Sequence, residues 1–267
     1  MRGQEESPIP NHSVSLEQIA ADIPDGAIVG LGGAGLQRKP MAAARALAAA
    51  GRRDLTLVSV LGSLDVELLL AAGCVGTLHS AGVALDAAGL APRFRSGRED
   101  QTIDFVEWSE GTLLCALQAT ARGVPSLPTW TAMDTDLPVV NPNVREAADP
   151  FTGERLTQVR ALALDVAILH VPAVDSRGNT YVAGDFAMDG ALARAADRVY
   201  VCYEQTVTDD PRRAVLSRIW VDGTASAPGG AWPTGCHPHY GADLNVVSRW
   251  AAAGASAGVE LLTEASR

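Results

Sequence analysis

The segment 30–40 reads GLGGAGLQRKP and places several glycines directly before two cationic side chains, Arg38 and Lys39. Its glycines satisfy G-x-G-x-x-G, the spacing that cradles the pyrophosphate of a dinucleotide at a helix N-terminus. A strand-like run, Ala27–Leu31, leads into the segment. The first hypothesis is therefore a site for an anionic ligand on this loop.

Two features argue against a dinucleotide. Pro40 falls five residues after Gly35, where it would break the helix that the fingerprint requires. The next strand-like run, Leu55–Val60, lacks a terminal acidic residue for the ribose hydroxyls. A loose glycine loop remains, whose amides could bind phosphate or an oxyanion; the alternative is a tight turn with two solvated cations. The expected ligand contacts on this loop are Gly32, Gly33, Ala34, Gly35, Arg38 and Lys39.

Glu107 and Glu110 form an acidic pair near the middle of the chain. A strand-like run, Ile103–Val106, ends just before them, and open α/β sheets bind ligands where strands end. A carboxylate there could act as a base on water or attack a thioester. The alternative is a capped, solvated helix start, in which Ser109 is the N-cap and both glutamates lie on the first turn.

Ser80 ends another strand-like run, directly after His79, and is expected to line the same pocket. His170 lies in an apolar run, so a core or sheet-end position is the simpler interpretation. His237 and His239 follow Cys236, but their proline-rich loop offers no further ligands at the spacing of a zinc site. No metal site is therefore expected.

Strand-like and helix-like segments alternate along the chain, which predicts an α/β fold with an open, mostly parallel sheet and helices on both faces. The stretch from Asp134 to Thr157 is rich in Pro, Asn and Asp and predicts a long loop or a hairpin. No repeat or domain boundary is evident. We expect a single domain over 1–267, with 1–14 as a flexible tail.

The net charge of −10 excludes a broad basic surface for nucleic acid. No apolar run approaches bilayer length, so neither a membrane span nor a membrane partner is expected. The four cysteines match no metal or disulfide spacing and are expected to be free thiols. A cytoplasmic protein is the resulting expectation.

Several motifs occur in a characteristic order. The motifs are FTGE at 151–154, DVAILH at 165–170, DSRGN at 175–179, AADRV at 195–199 and APGGAWPT at 227–234. Together with GGAGLQRKPM they resemble the α subunit of two-chain family I CoA-transferases of the glutaconate CoA-transferase type.

The resemblance implies the fold shared by CoA-transferases and sugar-phosphate isomerases, with a homologous β subunit as partner in a heterodimer or heterotetramer. It also implies an acyl-CoA thioester as substrate, with no permanently bound cofactor. The glycine loop, 32–36, would lie beside the thioester, and the nucleophilic glutamate would come from the β chain.

The segment from Glu107 to Ala119, EWSEGTLLCALQA, resembles the α chains of ring-opening CoA-thioester hydrolases of actinobacterial steroid breakdown. An acidic α-chain residue takes part in that reaction, and the resemblance carries this role to Glu110. Trp108-Ser109 departs from the pattern of that family, and Ser109, next to Glu110, is an expected substrate contact. Three functions stay open: CoA transfer to a carboxylate, which leads; hydrolysis of a carbon–carbon bond in a cyclic ketone; and a non-catalytic scaffold chain. For the first two, Gly33→Val is expected to keep the fold and abolish turnover.

Overall fold

The computed structural model describes residues 13–210 and 212–263, with the side chain of Ala187 left aside. The tail predicted over 1–14 lies outside this range except for its last two residues. Ser13 there bridges to Thr224 in a parallel register.

The principal sheet contains eight strands within the described residues. Seven of them run parallel in the order β11-β10-β8-β1-β2-β3-β4, and β9 pairs antiparallel with β8. The strands are β1 (Ile28–Leu31), β2 (Leu55–Val58), β3 (Val75–Ser80), β4 (Asp104–Glu107), β8 (Leu164–Asp175), β9 (Thr180–Tyr181), β10 (Ala196–Val207) and β11 (Gly223–Ser226). The expected open, mostly parallel sheet is confirmed.

The strand order reverses at β1. The chain winds outward from β1 through β2, β3 and β4, then returns to lay β8 on the other side of β1. In the register of this pair, Leu31 lies beside Ile168. A reversal of this kind opens a crevice beyond the carboxyl ends of the two strands, which is where open α/β sheets bind ligands. The glycine loop leaves β1 at this point.

Helices cover both faces of the sheet. Helices α1 to α4 pack in sequence on one face, and α5 packs against α7 on the other. Among the described residues, no helix has the length and apolar character that crossing a bilayer would demand. The helices are α1 (Leu16–Asp22), α2 (Met41–Ala49), α3 (Leu64–Ala71), α4 (Pro92–Glu99), α5 (Glu110–Ala121), α6 (Leu137–Val140), α7 (Ala187–Ala195), α8 (Leu244–Ala253) and α9 (Glu260–Thr263).

Each face has its own apolar core because side chains alternate along the strands. On β8, Ile168 faces the α1–α4 core, and Leu169 faces the α5–α7 core. Pro40 directly precedes α2 as its N-cap, which confirms that this helix begins after the glycine loop rather than within it.

A smaller antiparallel sheet in the order β5-β7-β6 is inserted between α5 and β8. Its strands are β5 (Ser126–Thr129), β6 (Val144–Ala148) and β7 (Arg155–Arg160). Strands β6 and β7 form a hairpin, so the hairpin alternative for the stretch from Asp134 to Thr157 is confirmed.

Candidate active site

The glycine loop is fixed by its own backbone amides. The Gly32 amide donates to Ile168 O at 2.9 Å, and the Gly33 amide donates to Asp189 Oδ1 at 2.7 Å. The Ala34 amide donates to Gln37 O at 3.0 Å, and the Gly35 amide donates to Leu61 O at 3.2 Å. These four donors are therefore engaged within the chain, and none of them is free to hold an oxyanion in this conformation. Gly32 and Gly33 are buried, so the part of the loop that a ligand could contact is Ala34 and Gly35, which are partly exposed.

Arg38 and Asp189 lock the loop to the start of α7. The Arg38 guanidinium forms an ion pair with Asp189 Oδ2 and donates to Asp185 O at 2.7 Å. The Asp189 side chain is fully buried, and that of Arg38 is 10% exposed. Arg38 also adopts a left-handed backbone, with φ of 52°. The sequence placed Arg38 beside a ligand, and the structure places it at the rim of the crevice with its charge already paired.

Lys39 lies beneath the loop and has no exposed surface. Its Nζ lies 3.0 Å from Ser59 Oγ and 3.2 Å from Gly33 O, and it forms an ion pair with Asp65 at 3.4 Å. The ligand contact expected for Lys39 is replaced by a structural one, because a buried ammonium needs these partners to offset its desolvation.

The two glutamates of the acidic pair lie on different elements. Glu107 is the last residue of β4, in register with Ser80, and Glu110 is the first residue of α5. The interpretation that placed both on one helical turn is wrong, because the strand continues through Glu107. Both side chains are exposed. Arg98 approaches Glu107 at 3.9 Å, whereas no described residue pairs with the Glu110 carboxylate.

Ser109 caps α5 as its sequence position predicts. Its hydroxyl accepts from the amide of Thr112, and the Thr112 hydroxyl accepts from the amide of Ser109, which completes a capping box. Glu110 therefore lies in the first turn, where the helix dipole favours a negative charge.

The N-termini of α5 and α7 lie at the same edge of the sheet. Helix α5 begins where β4 ends, and α7 runs back from the end of β8 to the start of β10. The two helices pack together. Glu110, the first residue of α5, therefore lies at the same edge of the sheet as the Asp189 clamp of the glycine loop.

Ser80 and His79 support this edge rather than open onto it. Ser80 is fully buried, and its hydroxyl donates to Gly82 O at 2.8 Å, which shapes the turn after β3. His79 Nδ1 accepts from Trp108 Nε1 at 3.1 Å. Burial lowers the pKa of His79, and the charge of Asp104 offsets this only in part. The pocket-lining role expected for Ser80 is thus a structural one here.

An open groove of about 600 Å³ borders Glu107. It lies between α4 and the end of β4, where the Arg98 guanidinium stacks over the Phe105 ring at 4.3 Å. The groove gives a partly apolar approach to Glu107. Its lining residues include Gly82, Leu90, Phe94, Arg98, Phe105 and Glu107.

A buried polar network surrounds Glu204 of β10 and includes His170 of the neighbouring strand β8. Glu204 accepts from Tyr240 OH and, at 2.6 Å, from the Gly229 amide, and it lies 2.7 Å from His170 Nε2. Burial opposes the charge of Glu204, but these hydrogen bonds outweigh it and hold its pKa below the ordinary value. His170 is fully buried, as its apolar strand indicated.

One atom each of His170, Glu204 and Cys236 lie within 4.8 Å of one another, as metal ligands would. Both Glu204 oxygens already accept hydrogen bonds. Burial, together with the charge of Glu204, raises the pKa of Cys236 to about 12, so its thiol is protonated. This chemistry fits a hydrogen-bonded network rather than a metal centre. His239 lies apart from it, with Nε2 3.1 Å from Pro172 O.

Two residues of the site were not identified from the sequence. Asp189 is a single acid within an alanine-rich helix, and its link to Gly33 spans 156 positions. Asp86 is exposed, with φ of 49°, and a Cβ added to Gly35 would lie 3.2 Å from its Oδ1. A single acidic residue, whether in a helix like Asp189 or in a turn like Asp86, carries no sequence signal of a role at the site.

The fold and the crevice match one family of proteins. Residues 14–222 match the model of the coenzyme A transferase family. This chain therefore belongs to that family, and the resemblance carried by the motifs is confirmed.

Its relatives include enzymes with different reactions. The chain is 32% identical over 250 residues to the cholesterol ring-cleaving hydrolase IpdA subunit of Mycobacterium tuberculosis, covering 88% of this chain and 85% of that one. Of the solved structures, a single-residue variant of the decarboxylase AibA/AibB superposes with a TM-score of 0.87 at 36% identity, covering 95% and 98% of the two chains. Glutaconate coenzyme A-transferase from Acidaminococcus fermentans also gives 0.87, at 23% identity, covering 95% and 86%, and shares the fold.

Proposed function

We propose that this chain is the α subunit of a two-chain enzyme that acts on an acyl-CoA thioester, with a homologous β subunit as its partner. The family and the subunit names of its relatives support this. Coenzyme A is then part of the substrate, and no permanent cofactor is required. The isolated chain is expected to be inactive. The four cysteines are buried and unpaired, which suits a reducing compartment, so we place the enzyme in the cytoplasm.

The thioester is proposed to rest beside the glycine loop, with the acyl group directed towards α5. Ala34 and Gly35 are the partly exposed residues of the loop, and the hydrogen bond from Gly33 to Asp189 fixes the backbone that presents them. From the loop, the acyl group crosses the first turn of α7 to reach Glu110. Glu110 lies on a different helix from the residue that clamps the loop, so we propose that its target lies on the acyl group rather than on the thioester.

The single observation that carries the reaction is the unpaired Glu110 carboxylate at the α5 N-terminus, beside α7. We propose that it acts as a general base on water, in hydrolysis of a carbon–carbon bond of a cyclic ketone. Glu110 removes a proton as water adds to the ring carbonyl. The ring bond then breaks, its electron pair passes to the adjacent carbon as an enolate of the second carbonyl of the diketone, and that carbon takes the proton back. The new carboxylate keeps the oxygen of water.

Transfer of CoA to a carboxylate is the second candidate, and the family itself favours it. A transferase needs a carboxylate nucleophile at the thioester, and Asp65 and Asp189 beneath the loop are buried and paired. The nucleophile is then a glutamate of the β subunit. Asp86, whose carboxylate lies close to Gly35, is the residue of this chain to test as an alternative nucleophile.

Turnover in labelled water separates the two reactions. The purified two-chain complex is incubated in H₂¹⁸O with the CoA thioester of a cyclic diketone, and separately with acetyl-CoA plus glutaconate. The hydrolase yields a carboxylate carrying solvent oxygen without any acceptor acid, and Glu110→Gln abolishes it. Acceptor-dependent turnover, with a glutamyl thioester that hydroxylamine traps on the β chain, would instead establish the transferase.

Matched variants identify the acid that matters. Glu107→Gln alters the neighbouring exposed carboxylate, and Glu146→Gln alters one on the smaller sheet. Asp86→Asn tests the aspartate beside the loop. If Glu110→Gln turns over like Glu146→Gln, this chain is a binding or scaffold subunit, and the chemistry belongs entirely to its partner.

A further inference from the structure

Four large apolar side chains of the insertion between α5 and β8 are more than half exposed. Trp130, Val139, Val140 and Phe151 are 72%, 85%, 58% and 95% exposed. We call these four residues the apolar rim. Burying an aromatic or branched side chain of this kind contributes about 1.5–3 kcal/mol, so several of them in water on one small insertion are typical of a surface that another molecule covers.

The apolar rim borders the acidic pair on two sides. Thr131, next to Trp130, packs on the first turn of α5, and a Cβ added to Gly111 would lie 2.8 Å from its Cγ2. Asn141, next to Val140, donates from Nδ2 to Glu107 O at 2.8 Å. Whatever covers the rim therefore also approaches the exposed carboxylates of the candidate site.

Trp130 also lines a cavity of about 280 Å³. Leu156, Asp149 and Thr152 line it as well, and the last two lie on either side of Phe151 in the sequence. Asp149 Oδ1 accepts from the amides of Phe151 and Thr152 at 3.0 and 2.8 Å, which fixes the turn that presents Phe151. The cavity is large enough for a single apolar side chain from another molecule.

Several carboxylates border this surface. Glu107 and Glu110 lie beside the rim, and Asp149 and Glu154 line its cavity. Arg155 is already held by two carboxylates, Asp134 and Glu146, each at 3.0 Å. A second copy of this chain, docked on the same surface by a two-fold axis, would bring these acids face to face. The complementary partner is a different chain with a cationic border.

We propose that the apolar rim is the docking surface for the second subunit. The partner seats an apolar side chain in the cavity beside Trp130, covers the rim, and excludes water from Glu110. This proposal rests on the proposed function, which requires a second chain and a Glu110 partly withdrawn from water. It explains why the carboxylate is open to solvent in this subunit alone.

Dissociation of the co-expressed two-chain complex tests the surface. The complex is diluted without substrate, and its dissociation constant is measured by sedimentation velocity. Trp130→Ser combined with Val139→Ser is expected to raise Kd about 30-fold or more, because a central tryptophan is a typical hot spot. Phe151→Ser is expected to raise it less. Ile219→Ser and Leu244→Ser alter side chains 77% and 60% exposed elsewhere and should leave Kd unchanged.

Two further measurements separate this proposal from the proposed function. Melting of the isolated variants shows whether they keep the parent fold, as exposed positions should. Glu110→Gln should raise Kd only a few-fold, because a single charge at the border of an interface contributes about 1 kcal/mol or less, and it should lose turnover. An unchanged Kd in the folded Trp130→Ser, Val139→Ser variant would contradict the proposed docking surface. Self-association of this chain through the apolar rim would contradict it too. If Kd rises as expected while Glu110→Gln stays active, the docking surface is supported and the proposed role of Glu110 as general base is contradicted.

Discussion

Gly33 and Asp189 lie 156 positions apart in the chain and are joined by a hydrogen bond of 2.7 Å from the Gly33 amide to Asp189 Oδ1. The other carboxylate oxygen of Asp189 holds the Arg38 guanidinium. One buried side chain at the start of α7 thereby fixes both the turn of the glycine loop and the cation that follows it. The conformation of the loop thus depends on a helix that forms much later in the sequence.

Removing this carboxylate should be costly. Asp189→Ala leaves a nearly buried Arg38 without its counter-charge, and we expect the free energy of unfolding to fall by about 3–5 kcal/mol. Asp165→Ala is the matched control, because Asp165 also accepts a backbone amide, that of Ile28 at 2.7 Å, but at an exposed position. Its loss should be about 1 kcal/mol. Urea unfolding of both variants checks this, and equal losses would show that the clamp is not special.

Gly33 should tolerate no side chain. Its φ is +72°, and an added Cβ would lie 2.3 Å from Gln37 O, so the expectation that Gly33→Val keeps the fold is corrected here. We expect Gly33→Ala to lower the free energy of unfolding by about 3 kcal/mol and to reduce turnover. Gly26→Ala has a similar φ of +79° with nothing within 4 Å, so it should lose about 1 kcal/mol from backbone strain alone. A Gly33→Ala variant as stable as Gly26→Ala would show that the loop accommodates a Cβ without a clash.

The two capped helices allow the position of Glu110 to be tested. Ser109 and Ser15 both cap a helix through a capping box, one at α5 and one at α1, away from the site. Each Ser→Ala variant should lose about 1 kcal/mol of stability. Only Ser109→Ala should also lower kcat, because fraying of the first turn displaces Glu110. Equal kcat values in the two variants would separate Glu110 from catalysis.

The buried network around Glu204 should make stability depend on acid. Since the folded-state pKa of Glu204 is depressed below the ordinary 4.5, its contribution is present above pH 4.5 and is lost as pH falls through the folded value. The stability difference between the parent and Glu204→Gln should therefore shrink below pH 4.5. Thermal melts of the two proteins from pH 7 to pH 3 measure it. A constant difference across this range would show that Glu204 does not titrate abnormally.

Local features of the chain were predictable from the sequence. The run Ala27–Leu31 predicted a strand, and β1 covers Ile28–Leu31. Pro40 indicated that α2 starts after the glycine loop, and Ser109 indicated the start of α5. These signals act over a few residues, because caps, prolines and apolar periodicity constrain neighbouring backbone directly. The ordered motifs added the family, which the comparisons confirm.

Only the tertiary structure decided how the candidate site is built. Arg38 and Lys39 are adjacent and chemically alike. Arg38 forms an ion pair with Asp189, whereas Lys39 is fully buried and forms an ion pair with Asp65. The sequence determined that a glycine loop with two cations follows β1 and that an exposed acid opens α5. Which charges stay available to a ligand was decided by partners far along the chain, because burial and pairing depend on distance in space, and no local pattern encodes it.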